Sequence, residues 1–245
     1  MSKEPYILTP PPDSSGTIHF DDDESNHLIR VLRAGLGDEF VAFDGSGRLW
    51  KVEITALRRT AVEARVIEER FEPERAPRIT VAVAAVKATR MDWAVEKAAE
   101  LGAIRFVPLE TRYSVVEPGQ GKLKRWRTIA LSAAKQIRHA RVMEVSESLP
   151  LKSYLSVVKA VQDEILFMLL DEKEASVTMQ RAWSAKPEAD EIVLFIGPEG
   201  GWAPEERMAL QEAGAISVTI GSSIVRTETA VVVGLGILMQ PKDEG

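Results

Sequence analysis

Glu191-Ile-Val-Leu-Phe-Ile-Gly-Pro-Glu-Gly-Gly201 is an apolar run that breaks into a glycine-rich loop, and Pro204-Glu-Glu opens a helix just after it. The pattern then returns. Ile216-Ser-Val-Thr-Ile-Gly221 is a strand ending in glycine, and Ile224-Val-Arg-Thr-Glu-Thr229 leads into the apolar helix Ala230 to Met239. Strands that end in glycine beside helix starts are where open α/β sheets bind ligands, because backbone N–H groups and the helix dipole converge there. The loop is neither the dinucleotide pattern GxGxxG nor the phosphate loop GxxxxGK[ST]. It lacks a lysine for phosphate and carries Glu199, which would repel one. A ligand with a cationic or neutral reacting end fits better than a nucleoside triphosphate. Glycines of this kind also make simple tight turns, so the loop alone does not decide between the two readings.

Upstream, Ile79-Thr-Val-Ala-Val-Ala-Ala-Val86 reads as a buried strand, with Lys87 and Arg90 at its C-terminal end. Asp92 is placed to cap a helix from Trp93 to Leu101, which Gly102 stops, and Ile104 to Leu109 is the next strand. A helix follows from about Lys122 to Ala140, another from Leu151 to Lys159, and a strand from Glu164 to Leu170. The segment from Glu174 to Trp183 is amphipathic. Strands alternating with helices predict an α/β domain on a parallel sheet.

Residues 1–72 read differently, as a small β-rich domain. Ser25-Asn26 is a candidate N-cap for a short helix from His27 to Arg33, ended by Gly35 and Gly37. Glu39 to Phe43, a turn through Asp44-Gly-Ser-Gly47, and Arg48 to Ile54 form a hairpin. Ala61 to Ile67 is a further alternating strand, and several short strands with glycine turns suggest a small barrel. Phe71-Glu-Pro-Glu-Arg-Ala-Pro-Arg78 is the expected linker into a second domain, residues 73–245.

The 245 residues, 45% apolar and 28% charged, suit one large or two modest soluble domains. With no cysteine there is no disulfide, thiolate nucleophile or cysteine metal site. The three histidines are far apart, so no metal is expected. The proline-rich N-terminus lacks a signal-peptide core and the longest apolar run is too short for a bilayer, which favours a cytoplasmic protein with no membrane partner. The net charge of −6 hides an uneven distribution. Residues 75–145 carry fourteen Lys/Arg against six Asp/Glu, while both flanks are acidic. From Arg112 to Arg141 there are eight Lys/Arg and one acidic residue, Glu117. Lys124, Arg127, Lys135 and Arg138 fall along one side of the helix expected there, and Trp126, Ile129, Ala133 and Ile137 along another. A one-sided cationic face suits an RNA backbone, although a solvated basic face has the same composition. His27, Arg30 and Arg33, three and six residues apart, form a second candidate for phosphate contact.

Ile196-Gly-Pro-Glu-Gly-Gly-Trp-Ala-Pro-Glu-Glu206 followed by Ile220-Gly-Ser-Ser-Ile-Val-Arg-Thr-Glu-Thr-Ala230 resembles the ribosomal RNA small subunit methyltransferase E family. The resemblance extends to Asn26-His27, Val31-Leu-Arg33, Phe43-Asp-Gly-Ser46, Glu96-Lys97 and Glu100-Leu-Gly102, and so covers nearly the whole chain. It implies a PUA-like RNA-binding barrel, then a SPOUT-type parallel-sheet domain with a trefoil knot over roughly residues 165–240. True knots are exceptions to the usual rule that chains do not thread loops. It further implies methylation of uridine N3 in 16S ribosomal RNA with S-adenosylmethionine (SAM) as donor, on small subunits, by a homodimer. The SAM-binding positions it implies are Leu170, Ile196, Gly197, Gly200, Gly201, Ile220, Gly221, Ile224, Arg226 and Thr227. The chain departs from the family pattern at Lys135, where a glutamate is usual, at Ile137, where a small residue is usual, and at Ala203, where a serine often stands. Without that serine the helix at Pro204 lacks a side-chain cap, worth about 1 kcal/mol.

Uracil N3 holds a proton and is a poor nucleophile until the proton leaves. Arg226, between the ligand loop and a helix start, is the first catalytic candidate, because its cationic fork can hold a uracil carbonyl or a phosphate. Glu228 and Glu199 are candidate proton acceptors. In a purely structural alternative Thr227 caps the last helix, Glu228 complements its dipole, and Arg226 pairs with one of the glutamates. Lys87, Arg90, Arg112, Lys124, Arg127, Lys135 and Arg138 complete the expected RNA-binding set. A 2′-O-ribose methyltransferase of the same class and a non-catalytic RNA-binding module of ribosome assembly are the rival functions.

Overall fold

The computed structural model describes residues 6–114, 118–158, 165–175, 177–186 and 188–240. Glu117, Lys159 and Glu164, assigned above from sequence, lie outside the described residues. The chain forms two compact units, residues 1–74 with 134–142, and residues 75–133 with 143–245.

In the first unit β1 (Tyr6–Leu8), β2 (Thr17–His19), β3 (Glu39–Phe43), β4 (Arg48–Leu57) and β5 (Val62–Phe71) form one sheet in the order β1-β3-β4-β5-β2. Alternation drives it: Phe40 and Ala42 on β3 and Trp50, Val52 and Ile54 on β4 turn inward onto Ile7, Ile18, Leu28, Val62 and Ala64. The expected helix begins earlier than the sequence suggested. Asp21 caps α1 (Asp22–Asn26) by accepting from the Glu24 N–H at 2.8 Å. Ser25 is no cap, because it is buried inside α1, where its hydroxyl donates to the Phe20 carbonyl at 3.2 Å and accepts from the Val62 N–H at 3.1 Å. A π-helical turn, His27–Val31, continues α1, and Arg33 leaves it at φ 54°. His27, Arg30 and Arg33 therefore do not share one regular helical face, though all three are exposed.

The second unit contains β6 (Arg78–Ala84), α2 (Ala88–Glu100), β7 (Arg105–Glu110), α3 (Gln120–Ile137, whose last residues belong to the first unit), β8 (Glu144–Val145), β9 (Leu149–Pro150), α4 (Leu151–Val158), β10 (Ile165–Leu170), β11 (Val177–Thr178), α5 (Met179–Ser184), β12 (Glu191–Ile196), α6 (Pro204–Glu212), β13 (Ile216–Thr219) and α7 (Thr227–Leu238). Its strands are all parallel, in the order β11-β13-β10-β12-β6-β7-β8, with β9 also on β7. From β6 the chain moves outward through β7, and it later returns to β6's other side as β12. The carboxyl ends of β10 and β12 lie level with that of β6, with Leu170 opposite Ile196 and Ile196 opposite Val83. That reversal of strand order opens a crevice at the strand ends.

Leu151, Tyr154 and Leu155 of α4 and Leu210 of α6 pack with Phe167, Leu169, Val193 and Phe195 into one core. Helices α2 and α7 pack on each other, and α7 also packs on β12 and β6. At Gly234 a Cβ would meet Leu194 Cδ2 at 2.7 Å, so α7 lies closer to β12 than any side chain there would allow. Two helix starts differ from expectation. Asp92 does not cap α2 but sits inside it, accepting from Arg125 Nε and Trp126 Nε1, both at 2.9 Å, which pins α3 to α2. The amphipathic stretch 174–183 yields only the short α5, because Val177 and Thr178 pair with β13 and the Thr178 hydroxyl then caps the helix by accepting from Arg181 N–H at 3.3 Å.

Candidate active site

The glycine loop is fixed from both sides. After β12, Gly201 N–H donates to the Pro198 carbonyl at 2.8 Å and closes a turn. Trp202 is buried behind it and donates its indole N–H to the Leu170 carbonyl at 3.0 Å, which joins the end of β10 to the loop after β12. A Cβ at Gly197 would come within 3.0 Å of that indole. Asp171, next in the chain, is 5% exposed and pairs with Arg207 of α6, itself 16% exposed. Helix α6 starts at Ala203 with no side-chain acceptor. Glu206 covers part of the loss, since it accepts from Ala203 N–H at 3.1 Å and from Arg112 N–H at 2.7 Å. One carboxylate thus holds the helix start and the loop after β7 together.

The second glycine-ended strand leads to a more open segment. Thr219 Oγ1 donates to the Gly221 carbonyl at 2.6 Å and accepts from Gly221 N–H at 3.2 Å. Ile220 is half-buried, but Ile224 is 82% exposed, an apolar side chain with nothing covering it. Arg226 is exposed, and among the described residues no hydrogen bond or ion pair forms with its guanidinium. Arg226, not Thr227, is the N-cap residue of α7, in extended backbone and without a side-chain bond. Thr227 is buried in the first turn, and its hydroxyl donates to the Gly197 carbonyl at 3.0 Å. That bond ties the two glycine loops together, which is why the hydroxyl is not available for capping.

Arg226 pairs with neither glutamate. The cation between them is Arg90 of α2, which forms an ion pair with Glu199 and lies 3.8 Å from Glu228 Oε1. Glu228 is 13% exposed, and its Oε2 is buried without a hydrogen-bond partner among the described residues. Thr89, Arg90, Trp93, Glu228 and Thr229 line a cavity of about 330 Å³. From the sequence Arg90 reads as an RNA contact, and Trp93, Trp202, Asp171 and Arg207 carry no site role. The signal for Trp93 was an aromatic next to charged residues at a helix start.

The basic helix is less one-sided than its sequence. Lys124 is exposed and unpaired among the described residues. Arg127 donates to Glu147 at 2.7 Å and to the Val145 carbonyl at 3.1 Å. Its hydrogen bond, followed by that of Gln120, holds the Glu147 carboxyl below the ordinary glutamate range. Lys135 pairs with Glu24, and Arg138 lies past the end of α3 at φ 58°. Lys87 and Arg112 are exposed at the ends of β6 and β7. Among the described residues there is no group of three or more His, Asp or Glu suited to a metal ion, and no helix long and apolar enough to cross a membrane.

Residues 73–239 match the family model of an RNA methyltransferase domain, and residues 20–67 that of an RNA methyltransferase PUA domain. The ribosomal RNA small subunit methyltransferase E of Mycobacterium tuberculosis is 34% identical over 92% of this chain and 87% of its own length. That of Synechocystis is 30% identical over 94% of this chain and 75% of its own. Among solved structures, the methyltransferase E of Neisseria gonorrhoeae bound to S-adenosyl methionine superposes with a TM-score of 0.84, at 28% identity, over 96% of each chain. A probable rRNA methyltransferase from Porphyromonas gingivalis gives 0.80 at 27% identity over 95% of each chain. Two loops tied by Thr227 at the strand ends of a parallel sheet, in a chain that also carries a β-rich unit, are thus matched by relatives along nearly the full length: the chain belongs to the ribosomal RNA small subunit methyltransferase E family.

Proposed function

We propose that this chain is a SAM-dependent methyltransferase that modifies N3 of a uridine in the 16S ribosomal RNA of the small subunit. The observation that carries the reading is the tie between Gly197 and Thr227, which holds the loop after β12 to the start of α7 beside the Leu170 carbonyl. The residues fit the donor. Ile224, uncovered, and Ile220 offer an apolar wall for adenine, and backbone groups of Gly197, Gly201 and Gly221 offer polar edges. Glu199 and Glu228 supply negative charge to a cationic ligand, in keeping with a loop that has no phosphate lysine. Leu170, Ile196 and Gly200 complete the proposed binding set. When bound, the donor supplies a methyl on a sulfonium, transferred as the carbon–sulfur bond breaks with its electron pair staying on sulfur.

The chain's own contribution is orientation and electrostatics. Arg226, whose guanidinium is unpaired among the described residues, is placed to hold the uracil anion as charge spreads onto O2 and O4. Arg30 and Arg33 in the first unit, and Lys87, Arg112 and Lys124 in the second, are exposed cations for phosphate, and the exposed His27 imidazole is a further polar contact for it. Domain limits at 72/73, a cytoplasmic location and assembled 30S subunits as substrate belong to the same reading. So does a homodimer, to which the half-buried Val232, Val233 and Ile237 of α7 offer an apolar surface. A trefoil knot is supported by the chain's path, since β13 lies outside β10 yet leads back to α7 under β12 and β6.

The test uses the purified protein, labelled SAM and small subunits lacking the modification, with nucleoside mass spectrometry of the digested RNA. The expected product is 3-methyluridine. Label on a ribose 2′-oxygen, or SAM binding without any transfer, would overturn the reading.

A further inference from the structure

An enzyme that works on the edge of a base must take that base out of its stack, so it needs a pocket with a flat apolar wall and polar groups matched to one edge. The second unit has such a place beside the strand-end loops, since its Arg90 pairs with Glu199 of the loop after β12. The cavity lined by Thr89, Arg90, Trp93, Glu228 and Thr229 holds about 330 Å³, at the small end for ligand sites. Trp93 is 41% exposed, although it is an indole on a helix that is otherwise well packed. The other lining residues are an arginine, two threonines, and a glutamate whose Oε2 has no partner among the described residues. A buried carboxylate oxygen without a donor is costly, and an N–H from a ligand removes that cost.

We propose that this cavity receives the everted uracil, stacked on Trp93, with N3–H donated to Glu228 and a carbonyl oxygen held by Arg90. The inference rests on the methyltransferase reading above and names the seat of its substrate. Uracil presents acceptor, donor, acceptor along O2, N3–H and O4. Arg90, Thr89 and Thr229 can donate and Glu228 can accept, so the lining carries the donors and the acceptor that this edge requires. Cytosine would turn a lone pair at N3 toward the Glu228 carboxylate and is disfavoured. In the reaction the N3 proton passes to Glu228. The freed N3 pair bonds the methyl carbon while the carbon–sulfur pair returns to sulfur, and Glu228 then loses its proton to solvent. Coupling to the donor loop is built in. Arg90 also pairs with Glu199 of that loop, and Thr227, which bonds Gly197, directly precedes Glu228.

Small subunits carrying 16S RNA transcribed with 5-bromouridine, irradiated with the full-length protein, test the stacking directly. The expected adduct maps by peptide mass spectrometry to the segment Met91 to Lys97. Trp93→Ala should lose that adduct and weaken single-turnover methylation about tenfold to a hundredfold, with Trp93→Phe intermediate. Glu228→Gln should lose methylation while retaining the adduct. SAM affinity by titration calorimetry should stay within about twofold of wild type in the two Trp93 variants. Adducts confined to other segments, or a Trp93→Ala protein that methylates normally, would overturn the pocket. So would conversion of a dimer to a monomer by Trp93→Ala, since the indole would then be an intersubunit contact. Loss of SAM binding by the wild-type protein would instead sink the methyltransferase reading itself.

Discussion

Arg127 and Lys135 lie along one helix, and Ile224 and Arg226 lie on one loop; in the sequence both stretches look like surfaces waiting for a ligand. In the structure Arg127 is held by Glu147 and Lys135 by Glu24, while Arg226 has no partner among the described residues and Ile224 is uncovered. Local composition shows eight cations against one acid between Arg112 and Arg141, but acids that pair with them come from residues 24, 74, 92 and 147. Cation density in a window thus overstates the field that RNA would meet. An unpaired side chain that folding leaves exposed is a better sign of a site, because nothing in the fold itself accounts for its chemistry.

Arg226 should therefore give the largest single effect. Replacing it with alanine removes a donor aimed at developing charge, and such losses cost on the order of 10²–10³ in rate. Single-turnover methylation should fall by that factor while calorimetry shows SAM still bound and the thermal transition unmoved. Unchanged rate would place Arg226 with the solvated arginines and dissolve the contrast.

Arg207 is the opposite case: its cation is consumed by the fold. Asp171→Asn leaves it facing a neutral amide in a nearly closed setting, which should destabilise by about 3 kcal/mol. Urea unfolding reads this as a lower midpoint with the slope kept. Adding Arg207→Met should recover much of the loss, because the orphaned charge, rather than the missing attraction, is the main cost. SAM affinity should weaken with the single variant, since Asp171 follows Leu170 at the crevice.

How much of this was legible beforehand follows the same division. The apolar runs of β6, β10 and β12 and the alternation of β3 and β4 announced themselves, because burial on a sheet imposes its period on the chain. The glycine loops were legible through their position at strand ends. What failed were assignments that depended on partners far away in sequence. Asp92 looked like a cap until Arg125 and Trp126 claimed both its oxygens. Thr227 looked like a cap until its hydroxyl reached Gly197, thirty residues upstream. The helix start at Ser25 was misjudged because its hydroxyl bonds Val62 of β5. Local chemistry offers Glu199 and Glu228 to Arg226, whereas in the structure the cation beside them is Arg90. Side-chain pairing over long separations leaves no periodic trace, so local chemistry assigns each polar group its nearest role and misses the tertiary one.

The smallest effect discriminates most finely, and it sits within α3. Each phosphate contact contributes about 0.7–0.9 to the salt slope of RNA binding. Lys124 is exposed and unpaired among the described residues, so Lys124→Ala should lower the slope by about that amount. Arg127 already has Glu147 at 2.7 Å and the Val145 carbonyl at 3.1 Å, so Arg127→Ala should leave the slope nearly unchanged. Its affinity at fixed salt should still drop a little, because Glu147 is then left as a bare negative charge. Equal slope changes for the two variants would mean that the Arg127–Glu147 pair opens on binding and that the guanidinium moves to phosphate. Pairing in the free protein would then describe a resting arrangement, and the distinction between engaged and unengaged cations would hold only until RNA arrives.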